Sequence, residues 1–174
     1  MNFLAFAAAA GLIAGMALAP ATAAPVSVQK TAKSGNTLDY LRTAASSDQY
    51  EIQSSQLAIS NDSDPAISDF AREMIKDHQR TTQVLKHAAQ SAGISAPAPR
   101  LLPEHTQMLT ALRAKGSDFA KTYLAQQKQA HQQALQLQRN YARNGDTPAL
   151  REAAQKAAAV IEEHIRHLDR LNRR

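Results

Sequence analysis

LAQQKQAHQQALQLQRNYARNGDTPALREAAQKAAAVIEEHIRHLDRL (Leu124–Leu171) reads as two helices and the turn between them. Leu124, Leu135 and Tyr141 recur at helical spacing before Asn144-Gly145-Asp146-Thr147-Pro148, and Leu150, Ala154, Ala157, Ile161, Leu168 and Leu171 continue it afterwards. The turn has a polar residue followed by Pro at the first helical position, where a missing N–H costs nothing. The same chemistry occurs upstream at Asn61-Asp62-Ser63-Asp64-Pro65, with Asp64 as the N-cap. It separates a helix of about 37–61 (Leu38, Leu41, Ala45, Ile52, Ile59) from one of about 65–92 (Ile67, Phe70, Met74, Leu85, Ala88).

The second helix ends at Gly93, a residue suited to the left-handed C-cap. A crossover with Pro97, Pro99 and Pro103 leads to a short helix, about 104–115, that stops at Gly116. Ser117 or Asp118 can cap the third long helix, about 117–144, which carries Phe119, Tyr123 and Leu124; the fourth runs about 147–172. Helices of about 26 residues, or about 39 Å, are marginal alone in water, so their apolar stripes must pack on one another. The expectation is an all-α fold: an antiparallel up-down four-helix bundle with a short extra helix in the crossover. Heptads are not sustained, which argues against a coiled-coil filament.

Composition agrees with this reading. The chain has 174 residues, 44% of them hydrophobic, which fits one domain with one core. Six Gly and 5% aromatic residues argue against an all-β fold. No Cys is present, which excludes disulfides, thiolate metal sites, Cys nucleophiles and iron–sulfur clusters.

Residues 3–19 (FLAFAAAAGLIAGMALA) carry no charge, and Ala21-Thr22-Ala23 is a small-residue exit that a signal peptidase cuts. Residues 1–23 are therefore expected to be a signal peptide cleaved near Ala23. Residues 24–36 (APVSVQKTAKSGN) are expected to be a flexible lead-in, and 37–172 the helical domain. Cleavage after Ala21 and retention as an anchor are the competing readings, since the run approaches the length of a membrane span. After cleavage no stable membrane insertion is expected, and the destination is the periplasm or another exported location.

The net charge of +5 lies wholly outside residues 1–23. The basic residues are scattered and lack an aromatic stacking platform, so no nucleic-acid partner is expected. Arg166, Arg170, Arg173 and Arg174 suit the negative end of a helix dipole. The charge is also compatible with weak attraction to an anionic envelope surface. Seven Gln between Gln126 and Gln138 form either a solvated face or an association surface for a homo-oligomer. No phosphate loop or dinucleotide fingerprint is present, so no organic cofactor is expected. Ser54 and Ser55 near His78 lack the Gly-x-Ser-x-Gly elbow of a hydrolase.

Polar residues interrupt all four stripes where the period calls for core residues. The faces run Leu41, Ala44/Ala45, Asp48, Glu51/Ile52, Ser55; Phe70, Met74, His78, Thr81, Leu85; Leu124, Gln127, His131, Leu135; and Ala157, Ile161, His164, Leu168. In an antiparallel hairpin, residues equidistant from the turn lie level. Glu51 and His78 are centred on the Asp64 turn, and His131 and His164 on the Thr147 turn. His78 lies 14 residues before Ala92, and His131 lies 14 after Ser117. Glu51, His78, His131 and His164 are thus expected to form one inward layer, with Asp48 and Asp77 one step away as weaker candidates. Three imidazoles and a carboxylate suit a divalent transition metal. A hydrogen-bonded network that only fixes helix register is the other reading. The Glu-x-x-His signature is absent, which favours a single ion over a paired-iron centre. Asp77 and His78 are sequence neighbours, about 100° apart on a helix, and cannot form a dyad directly. His164 and His167 are one turn apart and could share a ligand.

The run FAREMIKDHQRTTQVLKHAAQSAGI (Phe70–Ile94), preceded by DQYEIQSSQLAISNDSDPAISDF, resembles an exported bacterial family known as domain of unknown function 4142. FAKTYLAQQKQAHQQALQLQRNYARNGDTPALREAA and EEHIRHLDRL are similar to its later helices, so the resemblance covers about Thr37–Leu171. It implies a ferritin-like four-helix fold, export, and no settled activity. Its motif positions match Glu51, Asp77-His78, His131 and His164. Ferritin-like proteins with metal centres use more glutamates than this chain supplies. The functional expectation is divalent-metal binding in envelope metal or oxidative stress. The alternative is a non-enzymatic structural or interaction protein.

Overall fold

The computed structural model describes residues 28–61 and 64–173, with side chains from residue 36 onward. The expected signal peptide and residues 24–27 of the lead-in lie outside the described residues. Five α-helices and no strand are found among the described residues: α1 (Val28–Ser60), α2 (Pro65–Ser91), α3 (Pro103–Arg113), α4 (Phe119–Asn144) and α5 (Pro148–Leu171). The described residues form an all-helical structure. No helix among these residues is long and apolar enough to cross a membrane.

The helix ends follow from local chemistry. Asp64 Oδ1 accepts the Ala66 amide hydrogen at 2.7 Å, and Pro65 opens α2. At the other end Gly93, at φ 71°, donates to Gln90 O while Ile94 donates to Ala89 O, the paired bonds that close a helix through a left-handed residue. Two boundaries differ from the sequence expectation. Residues 28–36 belong to α1 rather than to a flexible lead-in; Val28–Lys33 holds no helix breaker. Asp118 holds the N-cap position of α4 but makes no side-chain capping hydrogen bond, and Gly116–Asp118 form a 3-10 turn that runs straight into the helix.

α1 packs on α2 and α4, and α5 packs on α4 and α2. Contacts in both hairpins are symmetric about their turns, as in antiparallel pairs. Asp48 meets His78 and Thr82, and His131 meets His164. α3 lies against α1 and α4. Ser46 Oγ fastens the crossover by accepting from the Leu102 amide at 2.7 Å and donating to His105 Nδ1 at 2.6 Å. Burial holds His105 below the usual imidazole range, which keeps Nδ1 an acceptor.

Two apolar clusters lie toward opposite ends. One joins Ala58, Phe70, Met74, Leu112, Phe119, Tyr123 and Leu168. The other joins Tyr40, Leu41, Leu85, Tyr141, Leu150 and Ala154, with the Tyr40 and Tyr141 rings stacked at 3.8 Å. α1 contributes to both mostly through tyrosine and alanine. Ile52 and Ile59, expected as core residues, are only half-buried, while Tyr40, Tyr50, Ser54, Ser55 and Glu51 take the inward positions. That face has a helical period but an unusually polar alphabet.

The clusters supply the stability that a polar layer cannot. Leu168, fully buried, should cost about 2–5 kcal/mol when truncated to Ala. Val160→Ala on the exposed side of the same helix should change stability by about 0.5 kcal/mol or less. Urea denaturation of the two variants checks this.

Candidate metal centre

Between the clusters, α2, α4 and α5 each turn a histidine inward. His78 follows Met74 by one turn, His131 precedes Leu135 and follows Gln127, and His164 lies between Ile161 and Leu168. Each takes a core position in its helical stripe, and all three are 1–3% exposed. Their ring centroids are 5.3–5.6 Å apart. Each ring can offer one nitrogen such that all three nitrogens lie within 4.8 Å of one another.

Each ring is held by its outer nitrogen. His78 Nδ1 donates to Asp48 Oδ1 at 2.8 Å, and Asp48 Oδ2 accepts from the Thr82 hydroxyl at 2.8 Å. His131 Nδ1 donates to the Gln127 backbone carbonyl, one turn earlier on α4, at 2.9 Å. His164 Nε2 faces Asp77 Oδ2 at 3.2 Å. A carboxylate or carbonyl behind each imidazole is the pattern that fixes ring orientation and tautomer in histidine metal sites. The inner nitrogens are His78 Nε2, which is buried with no hydrogen-bond partner, and His131 Nε2 and His164 Nδ1, 3.2 Å apart.

The hydrogens of the layer are one short of its acceptors. A carbonyl only accepts, so His131 Nδ1 carries the hydrogen and neutral His131 has a bare Nε2. Neutral His164 has one hydrogen for two acceptors, His131 Nε2 and Asp77 Oδ2, each 3.2 Å away. Whichever it satisfies, a lone pair faces an acceptor on the other side; satisfying both requires a charged imidazolium. Burial and the neighbouring His78 charge hold His164 below the usual range, Asp77 offsetting part of this; burial and both other histidines hold His131 well below it. His78 differs: burial pushes it down, but its hydrogen bond to Asp48 and the charges of Asp48, Glu51 and Asp77 together raise it. Positive charge in the layer is favoured on His78 and disfavoured on the other two rings.

The structure thus brings together three of the four leading candidates. Glu51 is buried and level with them, but its Oε1 is 3.5 Å from His131 Nδ1, on the side of the ring facing away from the inner nitrogen. Its carboxylate is not among the groups whose donor atoms cluster within 4.8 Å. Both Glu51 oxygens lack hydrogen-bond partners. Asp48 and Asp77, one step away by sequence reasoning, are direct partners of His78 and His164. Thr82 and the Gln127 carbonyl were missed; Thr82 is one turn beyond His78, but a backbone acceptor leaves no mark in side-chain patterning. Ser54 accepts from Gln127 Nε2 and Ser55 pairs with Tyr123 Oη, so both hydroxyls are engaged away from His78. His167 binds Glu73 at 2.9 Å and does not share a partner with His164 through that bond.

The sequence model of a family described as a domain of unknown function, DUF4142, matches residues 21–171. The chain belongs to this family. The match takes in every residue of the centre. Neither the curated proteins nor the solved structures contain a match to the chain.

Burial pushes the Glu51 carboxyl up to about 8 from an ordinary 4.5, the charge on His78 offsetting part of the effect. The metal-free folded chain therefore keeps a proton that the unfolded chain has released above about pH 4.5. The stability associated with this carboxyl is full below that value and is lost as pH rises through about 8. Glu51→Gln has no such titration. Metal-free Glu51→Gln protein should gain on the wild type by about 3 kcal/mol between pH 5 and pH 8, as measured by urea denaturation at the two pH values.

Proposed function

We propose that this chain is an exported, ferritin-like four-helix bundle that binds one divalent transition-metal ion through His78, His131 and His164 and serves envelope metal or oxidative-stress handling. Residues 1–23 act as the signal peptide and 37–172 as the binding domain, and the periplasm is the working compartment. The uncharged run at 3–19 and the small-residue exit at Ala21–Ala23 support export. The cyclic packing of the four long helices and the symmetry of their hairpin contacts support the bundle.

The observation that carries the metal reading is the single hydrogen of neutral His164 set between two acceptors, His131 Nε2 and Asp77, beside the unpartnered Nε2 of His78. A cation satisfies all three nitrogens without disturbing any outer hydrogen bond. Two nitrogens on one tetrahedral ion at about 2.0–2.1 Å sit about 3.3 Å apart, close to the 3.2 Å observed. Three imidazoles without a thiolate favour Zn, Cu, Ni or Fe(II). The carboxyl groups of Asp48 and Asp77 stand behind the rings, where they would balance a double positive charge. Glu51, behind His131, is the group that ionises as positive charge arrives. With three protein ligands, a bound ion keeps a coordination position open, and as a Lewis acid it would polarise what occupies that position.

Calorimetric titration of the purified protein with Zn²⁺, Cu²⁺ and Ni²⁺, together with elemental analysis, tests the reading. One equivalent of at least one ion is expected. His131→Ala and His164→Ala should abolish tight binding, and Asp48→Asn should weaken it about 10–100-fold. Saturation at 100 times the dissociation constant should stabilise the fold by about 2.7 kcal/mol. Absence of binding by all three ions would overturn the proposal. It would leave the second reading, that the layer fixes helix register, which the hydrogen bonds linking α1 to α2 and α2 to α5 favour.

A further inference from the structure

His164 belongs to two groups of potential ligands, not one. Beside the three histidines, Glu73, Asp77 and His164 also offer donor atoms within 4.8 Å of one another. This second group faces outward. The side chains of Asp77 and Glu73 are 28% and 37% exposed, whereas that of His164 is 1% exposed. Glu73 Oε2 is held by His167 Nδ1 at 2.9 Å, which fixes the rim carboxylate one turn before Asp77 on α2. A surface cleft of about 270 Å³ between α2 and α5 reaches Asp77 from solvent; Arg80 and Lys156 also line it, and Glu73 and His164 do not.

We infer that Glu73, Asp77 and the outer nitrogen of His164 form a loading site, from which a divalent cation passes through the exchange of one hydrogen on His164 to the three-histidine centre. The inference rests on the metal reading above. The imidazole lies between the two sites, with Nε2 3.2 Å from Asp77 and Nδ1 3.2 Å from His131 Nε2. Neutral His164 has one N–H and so satisfies one side at a time. With the centre empty, hydrogen on Nδ1 bridges to His131 Nε2 and leaves Nε2 bare beside Asp77 and Glu73. Those are the donors of a rim cation, two carboxylates and an imidazole, and the carboxylates attract it from water. A cation held at the centre would take Nδ1 as a ligand, the Nδ1 hydrogen being released to water while Nε2 takes one from water beside the partly exposed Asp77, which then accepts it. The rim would then lack its nitrogen donor and its hold on a second cation. Charge balances, because one proton leaves the ring and one joins it with water as the carrier, and the cation changes only its ligands. The unpartnered Nε2 of buried His78 completes the deeper site and makes the inward position the tighter one.

The test separates rate from affinity. Zn²⁺ uptake by full-length mature protein is followed by stopped flow against a chromophoric chelator, and affinity is measured by equilibrium competition. Glu73→Gln should slow association at least about tenfold while the dissociation constant stays within about threefold. Glu73→Asp, which keeps the charge, should recover part of the rate. Asp39→Asn, an exposed carboxylate far along α1, should leave the rate unchanged. Wild-type stoichiometry should be one tight ion, not two. The loading inference is overturned if Glu73→Gln matches the wild-type rate, if Asp39→Asn slows uptake equally, or if rate and affinity fall together. Failure of the wild type to take up Zn²⁺ at equilibrium would instead remove the metal reading for this ion. Circular dichroism of Glu73→Gln checks the fold; should it be perturbed, Glu73→Asp alone decides, an unchanged affinity with a slower rate supporting the relay and an unchanged rate overturning it.

Discussion

Three neutral imidazoles buried in one layer bring three ring hydrogens to four acceptors, Asp48, the Gln127 carbonyl, Asp77 and His131 Nε2, so one acceptor is always left without a donor. The rest of the molecule is arranged around this constraint. A buried polar atom without a partner costs about 1–3 kcal/mol, and this layer contains several such atoms: both Glu51 oxygens, the Gln127 side-chain oxygen and His78 Nε2. On the proposed metal reading, a divalent cation would satisfy His78 Nε2, His131 Nε2 and His164 Nδ1 together, which the single hydrogen of neutral His164 cannot do.

The apolar clusters on either side offset that cost. Phe70, Met74 and Leu168 toward one end, and Tyr40, Leu85, Tyr141 and Leu150 toward the other, bury side chains worth roughly 1.5–3 kcal/mol each. The packing also sets the heights of the histidines, because each lies one or two turns from residues anchored in a cluster. α1 differs from the other long helices. Its inward face is written in Ser, Asp, Glu and Tyr, so it supplies partners for the layer more than apolar area. Asp48 orients His78, Ser54 engages Gln127, and Ser55 engages Tyr123. The polarity of α1 is thus part of the site, and that helix depends on its neighbours for stability.

Asp77 shows how one residue serves two roles. It is adjacent to His78 in sequence yet turned toward His164 on another helix, about 100° away around α2. It thereby orients a buried ring while staying open to solvent. Membership of the DUF4142 family places the chain among relatives described only as a domain of unknown function.

Much of this was legible in the chain. Helical periodicity, the two polar-then-Pro turns and Gly93 determine the helices to within a few residues, because local sterics and capping act over a single turn. Hairpin symmetry about Asp64 and Thr147 puts His78, His131 and His164 at one height, because rise per residue is constant. Three things were decided only in three dimensions. Glu51 lies behind His131 instead of opposite it; Asp48 and the Gln127 carbonyl hold rings; and His164 shares its two nitrogens between an inner and an outer group. Each depends on the rotation of a helix about its axis and of a ring about its bonds. Spacing along the chain specifies the depth of a side chain in the body, but only packing specifies which of its atoms faces which neighbour.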